Sequence, residues 1–354
     1  MSYKRVIWIF NLFVVFGCIE TIQLDLPEQS LERLVIEGFV ERGKDYLFKI
    51  TVTQTESLNE IFLIIQVPAE IVLVVDDQPT IPLVNGQLQR IPVDQFHQIY
   101  GGTPETATFK LRAWVNENLY ESSNESILDV PTGASLDITL TERSILNERD
   151  NIVSKEFIEL SISTSLLNSV SNKTSLIWHI SGAYSFSERA WANDPFWFPK
   201  TCYITDQIMA NNIIVLNAQE ASGNAISEFM IHEQEANHRY NEDYYYTVIQ
   251  KSLTQKAVKY WQQTAASLTH SGTIFNNQSG RVIGNIRNVD DPEEEVLGYF
   301  SASAVDTVRL LTTYEETGEQ GHLCSKYENP SDFPPCCNCL ELRNSTDKKP
   351  HYWK

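Results

Sequence analysis

ATFKLRAWVNENLYESS, residues 107–123, holds two short segments of alternating apolar and polar residues separated by Asn116, Glu117 and Asn118. Alternation at a period of two marks a strand with one buried face, and an Asn-containing break between two such segments marks a hairpin turn. Ala107–Val115 and Leu119–Ser123 are therefore read as paired strands. Working outward, the same reading gives strands at Leu34–Val40, Tyr46–Thr55, Glu70–Asp76 and Gln87–Val93 on one side and Ser135–Thr141 on the other. Seven short strands with turn signals between them predict an immunoglobulin-like β-sandwich over residues 32–145. The region contains no cysteine, which excludes an antibody-type disulfide.

The polar segment SILNERDN, residues 144–151, reads as a boundary, and strands resume beyond it. The clearest are Phe157–Ser163, Ser175–Ser187, Tyr203–Ile208, Ile213–Leu216, Tyr244–Lys251 and Val296–Leu311. One helix is predicted in TQKAVKYWQQTAASL, residues 254–268. Thr254 caps its start, Ala257, Val258, Trp261, Ala265 and Leu268 share a face, and Gly272 lies past its end. Tyr260 and Trp261 are expected to pack in a core; the alternative is a binding platform. The fold class is thus mainly β, a sandwich followed by a second β-rich domain at 152–354 with one prominent helix and a cysteine-rich tail. A chain of 354 residues, 42% hydrophobic, can fill two such cores.

At the N-terminus, Lys4 and Arg5 precede an apolar run from Val6 to Phe16 that only Asn11 interrupts. The run is shorter than the roughly 20 residues a membrane-spanning helix needs, so residues 1–17 read as a signal peptide. Val15, Phe16, Gly17 and Cys18 fit a lipobox, with Cys18 the residue that takes lipid; the alternative is an ordinary signal peptide with a cysteine beside its cut site. CIETIQLDLPEQSL, residues 18–31, then serves as a lipidated tether. The most apolar later run, Ile61–Val75, is broken by Gln66, Pro68 and Glu70 and is not read as a membrane helix. A net charge of -19 argues against nucleic acid, whose phosphates require clustered Lys and Arg.

With Cys18 assigned to lipid, Cys202, Cys324, Cys336, Cys337 and Cys339 remain, an odd number. Outside the reducing cytoplasm two disulfides and one thiol are expected, with the pairing open. The rival reading is a zinc site built from His322, Cys324, Cys336, Cys337 and Cys339; the expectation is no metal and no cofactor. His232 and His238 lack the one-turn spacing of a helical zinc pair and are read as part of a polar loop. Asp290, Asp291, Glu293, Glu294 and Glu295 lack the ligand spacing of a calcium loop and read as a solvated turn. Phosphate-binding glycine loops and nucleophile-elbow serines are absent from the sequence, so no catalytic residue is assigned. The stretch AWANDPFWFPK, residues 190–200, reads as a loop whose Trp191, Phe196, Trp197 and Phe198 either anchor an interface or pin the loop to its own sandwich.

The second half contains, in order, KYWQQ at 259–263, GTIFNNQSGRVIGNIRN at 272–288, EEVLGYFSASAV at 294–305 and PHYW at 350–353. With the lipobox cysteine, the acidic tether and LVIEGFV at 34–40, this ordered set resembles the Bacteroidota lipoprotein family known as domain of unknown function 4249. The tail departs from the family pattern in the adjacent cysteines of PPCCNC, residues 334–339. The resemblance implies an outer-membrane lipoprotein, exposed at the cell surface or facing the periplasm, and the missing catalytic constellation adds the expectation that it is non-enzymatic. The resemblance further implies an accessory or docking subunit of a TonB-dependent (SusC-like) transporter barrel. The alternative is an independent surface lipoprotein that captures a glycan or peptide through the aromatic loop.

Overall fold

The computed structural model describes residues 33–58, 61–101, 106–189, 198–206, 208, 213–270, 282–318, 321, 323–324 and 334–354. The expected signal peptide and lipidated tether, with Cys18, lie outside them. The chain begins with β1 (Leu34–Arg42), β2 (Asp45–Leu58), β3 (Ile61–Gln66), β4 (Glu70–Val75), β5 (Gln78–Leu83) and β6 (Gln89–Pro92). Helix α1 (Val93–Tyr100), β7 (Thr108–Val115), β8 (Asn118–Ser122), β9 (Glu125–Ser126), β10 (Ser135–Leu146) and β11 (Ile152–Ser165) follow. Next come β12 (Ser175–Ser187), β13 (Thr201–Asp206), β14 (Val215–Leu216), β15 (Ala225–Glu235) and β16 (Tyr244–Leu253). Helix α2 (Gln255–His270), β17 (Ile286–Asn288), β18 (Phe300–Thr312), the short helix α3 (Tyr314–Thr317) and β19 (Ser345–Thr346) complete it. The protein is mainly β, as its alternating segments predict.

One long sheet organises the molecule, in the order β19-β13-β12-β16-β18-β1-β2-β3, with β14 beside β12 and β6 beside β2. A second sheet, β17-β8-β7-β4-β5 with β9, and a third, β10-β11-β15, pack onto it. The faces follow from residue parity. Ala302 and Ala304 of β18 lie in a core with Ile36, Phe48, Leu73 and Phe109, whereas Val308 and Leu310 of the same strand border a core with Leu160, Trp178 and Tyr246. These β18 positions are all even-numbered, and alternate residues share a face. Both smaller sheets therefore lie side by side over one face of the long sheet.

Two opposed sheets around the first core are compatible with the expected sandwich. That core is closed, however, by strands from far along the chain. β17 pairs with β8, and β18 runs parallel to β1 from Gly38 opposite Phe300 to Arg42 opposite Ala304. The segment expected as a boundary does not divide the strands into two sets. β10 and β11 pair continuously from Ser135 opposite Ser163 to Leu146 opposite Ile152. The polar residues 147–151 are the turn of that hairpin, where Asn147 Oδ1 accepts from the amides of Arg149 and Asn151 at 2.9 and 3.0 Å.

Turn chemistry explains the register of the β7–β8 hairpin. Val115 pairs with Asn118, so only Asn116 and Glu117 form the loop, and both have positive φ, +49° and +71°. Such a two-residue loop matches the twist of the strands it joins. Asp76 and Asp77, at φ +47° and +62°, do the same between β4 and β5.

Gly284, in the stretch 272–288, and Gly298, in the stretch 294–305, have a steric cause. Leu297 donates to the Leu34 carbonyl and Gly38 to that of Tyr299, at 2.9 and 3.0 Å, which seats the chain before β18 directly on β1. A Cβ at Gly298, whose φ is +100°, would come 2.1 Å from the Ile36 carbonyl oxygen, and one at Gly284 would come 1.8 Å from that of Gly298. Asn285 completes the junction, its side chain accepting from Phe300 N and donating to Phe300 O at 2.8 Å each, as a neighbouring strand would. Gly298→Ala should lower the unfolding free energy by about 3 kcal/mol, since a strained backbone conformation and a rigid backbone contact add together. Urea denaturation checks this, and an unchanged midpoint would refute the close approach.

Candidate functional site

The face of the long sheet turned away from the smaller sheets is only partly covered. Helix α2 lies over one part of it, where Ala257 and Val258 pack on Ile177, Leu253 and Tyr299. Trp353 lies over another part, against Ala183 and Tyr245. Beside the helix is a pocket of about 210 Å³. Its floor is built by alternation. Ile36 and Val40 of β1 enter the core, so Glu37, Phe39 and Glu41 face the pocket. By the same parity, His179 of β12, Lys251 of β16, and Ser301 and Ser303 of β18 face it. The wall is Tyr260 and Trp261 of α2, with Tyr260 stacked on Tyr299 at 4.5 Å between ring centroids and edge-to-face with Trp261 at 5.2 Å.

A buried carboxylate positions that wall. Glu125 of β9 accepts from the Tyr299 hydroxyl at 2.7 Å, from the Thr254 hydroxyl at 2.8 Å and from Asn285 Nδ2 at 3.3 Å. Thr254 Oγ1 in turn accepts from Ala257 N at 3.3 Å, capping the helix as its sequence predicts. Desolvation raises the Glu125 pKa despite these donors. Burial, and then the nearby Glu125 charge, likewise raise that of Tyr299.

Within the pocket the Lys251 ammonium pairs with Glu41, both side chains being largely buried, and sits 5.5 Å from the centre of the Phe39 ring. The His179 ring is open to solvent on one side. Desolvation by the rest of its surroundings, and then the Lys251 charge, lower its pKa to about 4, so it is neutral at pH 7. Among the described residues no hydrogen bond joins Ser301 or Ser303 to His179 or Lys251. The arrangement therefore presents a shaped, polar-edged surface and assembles no nucleophile with a base.

Tyr260 and Trp261, expected in a core, are partly buried and also line this pocket. The remaining sequence candidates lie elsewhere. Trp191, Phe196 and Trp197 fall outside the described residues, as does His322; Phe198 is 81% exposed, ahead of β13. Cys202 bonds to Cys339 and Cys324 to Cys336, leaving Cys337 as a thiol. These bonds consume three of the five zinc candidates. His232 is not in a loop but on β15, which pairs with β11 and buries Ile231. His238 starts a single 3-10 turn. Burial lowers the pKa of both histidines, Arg239 adding to the effect at His238. The acidic run forms a turn that is pinned as well as solvated: Glu294 accepts from Tyr120 and Asn288, Asp290 from Leu119 N at 3.3 Å, and Glu295 pairs with Arg33 at 3.1 Å.

Two measurements test these assignments. Thiol labelling of the denatured, unreduced protein should find Cys337 free and Cys202, Cys324, Cys336 and Cys339 protected; labelling of all five would overturn the bonds. The second concerns His179. Its folded pKa lies below the value of 6.5 for an unburied imidazole, so the unfolded chain binds more protons between pH 6.5 and about 4. Its contribution is therefore lost as pH falls through that window. Glu37, Glu41 and Lys251 face the same pocket, so His179→Gln is compared with the unaltered protein at each pH. The loss of melting temperature from pH 6.5 to 4 should be smaller in the variant, and equal losses would refute a depressed imidazole.

A family model described as domain of unknown function (DUF4249) matches residues 19–309. Comparison with curated proteins and with solved structures gives no match. The match runs through the pocket-bearing strands β1, β12, β16 and most of β18, and on that extent the chain belongs to the DUF4249 family.

Proposed function

We propose that this protein is a non-enzymatic recognition module, lipid-anchored through Cys18 at the outer membrane, that serves a TonB-dependent (SusC-like) transporter as an accessory or docking subunit. The observation that carries the recognition role is the pocket beneath α2, concave and walled by rings, with polar groups at its edge and no assembled nucleophile, which is how binding sites are built. The lipobox around Cys18 supports the anchor, and the net charge of -19 suits a body kept in solution outside the cell. The described residues contain no helix long and apolar enough to cross a membrane. Phe198, 81% exposed next to Trp191, Phe196 and Trp197 in the sequence, supports a contact surface separate from the pocket, because exposed aromatics supply interface anchors. Tethering to one membrane raises the effective concentration of the two partners, so modest contacts suffice.

The exposed Phe198 also favours a second reading, independent capture of a glycan or peptide at the cell surface through the aromatic stretch 190–200. Mild detergent extraction and affinity purification separate the two. The docking role expects a large β-barrel partner whose recovery falls in the Trp197→Ala/Phe198→Ala double variant, and expects Cys18→Ser to leave the membrane fraction after a high-salt wash. A protein that emerges alone after crosslinking would transfer the weight to independent capture; a Cys18→Ser variant still on the membrane would end the anchor reading.

A further inference from the structure

We infer that the pocket beneath α2 is a site for a cationic group on an apolar stem, an alkylammonium or guanidinium. The inference rests on the recognition reading and names what that pocket takes.

Charge inside the pocket decides its sign. Glu41 and Lys251 neutralise each other, and His179 is neutral at pH 7. Glu37 remains, exposed and with neither a hydrogen bond nor an ion pair among the described residues. An incoming cation therefore meets one uncompensated carboxylate, whereas an anion meets that carboxylate and an ammonium already held by Glu41. The charge of -19 over the whole chain adds a long-range field of the same sign. Glu37 and Tyr260 line the same pocket, and burial, and then the Glu37 charge, raise the Tyr260 phenol pKa.

The rings supply the rest of the recognition. Tyr260, Tyr299 and Trp261 form one continuous aromatic wall, and ring faces attract cations within about 6 Å of their centroids. Phe39, on the floor, already carries such a contact from Lys251 at 5.5 Å. Size limits the guest. A cavity of about 150 Å³ holds one benzene ring, so 210 Å³ accepts a side-chain-sized group and not an oligosaccharide. The apolar stem would lie along Ile177 and Leu253, beneath the helix.

The same chemistry arrives from two sources, a lysine or arginine side chain of a peptide or a free diamine. Calorimetric titration of the full-length protein in detergent therefore uses four probes: a blocked lysine peptide, 1,5-diaminopentane, a neutral methyl pyranoside and butyrate. Both cations should bind more tightly than the pyranoside, butyrate should not bind, and the tighter cation identifies the source. Glu37→Gln, at an exposed position without partners, should weaken the cations about five- to ten-fold, as should Trp261→Leu. Circular dichroism confirms that each variant remains folded. Binding of the pyranoside or butyrate at least as tight as that of the cations, unchanged affinity in a folded Glu37→Gln protein, or no binding of either cation would overturn the inference. The titration uses the protein alone, so recovery of a transporter plays no part in it.

Discussion

Everything in this molecule depends on β18 lying between β1 and β16. It is parallel to β1 over Gly38–Arg42 and antiparallel to β16 from Tyr244 to Lys251, so a single strand fuses what would otherwise be two separate sheets. The constraint is steric before it is energetic. Gly284, Gly298 and the Ile36 carbonyl stack so closely that no side chain fits between them. Asn285 supplies the hydrogen bonds that Phe300 would otherwise lack there, and such groups are costly to leave unpaired.

The fused sheet has unequal faces, and this inequality creates the site. One face carries the two smaller sheets. On the other, the Glu41–Lys251 pair sits where water is largely excluded, an arrangement that contributes little net stability but costs about 3–5 kcal/mol if one partner is removed. Such a pair holds its geometry and leaves the surrounding rings in fixed positions. Glu125 acts similarly one layer away, tying the start of α2 to Tyr299 so that helix and strand keep a constant spacing.

Local features were legible in the sequence. β12 spans the residues its alternation marks, Ser175–Ser187, and Thr254 caps α2 from the position its hydroxyl suggests. β15 was hidden because it is polar at many outward positions, with His232 and Glu233 drawing the reading toward a loop, although its pairing to β11 buries Ile231. The apolar run 61–75 is β3, a short connection and β4, whose shared hydrophobicity concealed that they join different sheets. Of the site only the wall was legible, Tyr260 and Trp261 on the predicted helix, and the floor was not. Glu37, Phe39, His179, Lys251 and Ser301 come from four strands, and each reads in its own segment as an ordinary outward position; only the non-local order of β12, β16, β18 and β1 collects them. The same non-locality hid the cysteine pairing, since Cys202 meets Cys339 across a separation of 137 residues.

The central place of β18 also governs how the chain reaches its folded state. β1 waits for a partner roughly 260 residues downstream, and chains dominated by such distant pairings fold slowly because loop closure precedes its reward. Until residues 300–312 arrive, β1 and β16 each present an unpaired edge, the condition under which strands associate with the wrong neighbour. The Cys202–Cys339 bond fastens to β13 a tail that lies beyond the family match at residue 309. A cross-link over so long a span restricts the unfolded chain far more than it adds contacts to the folded one.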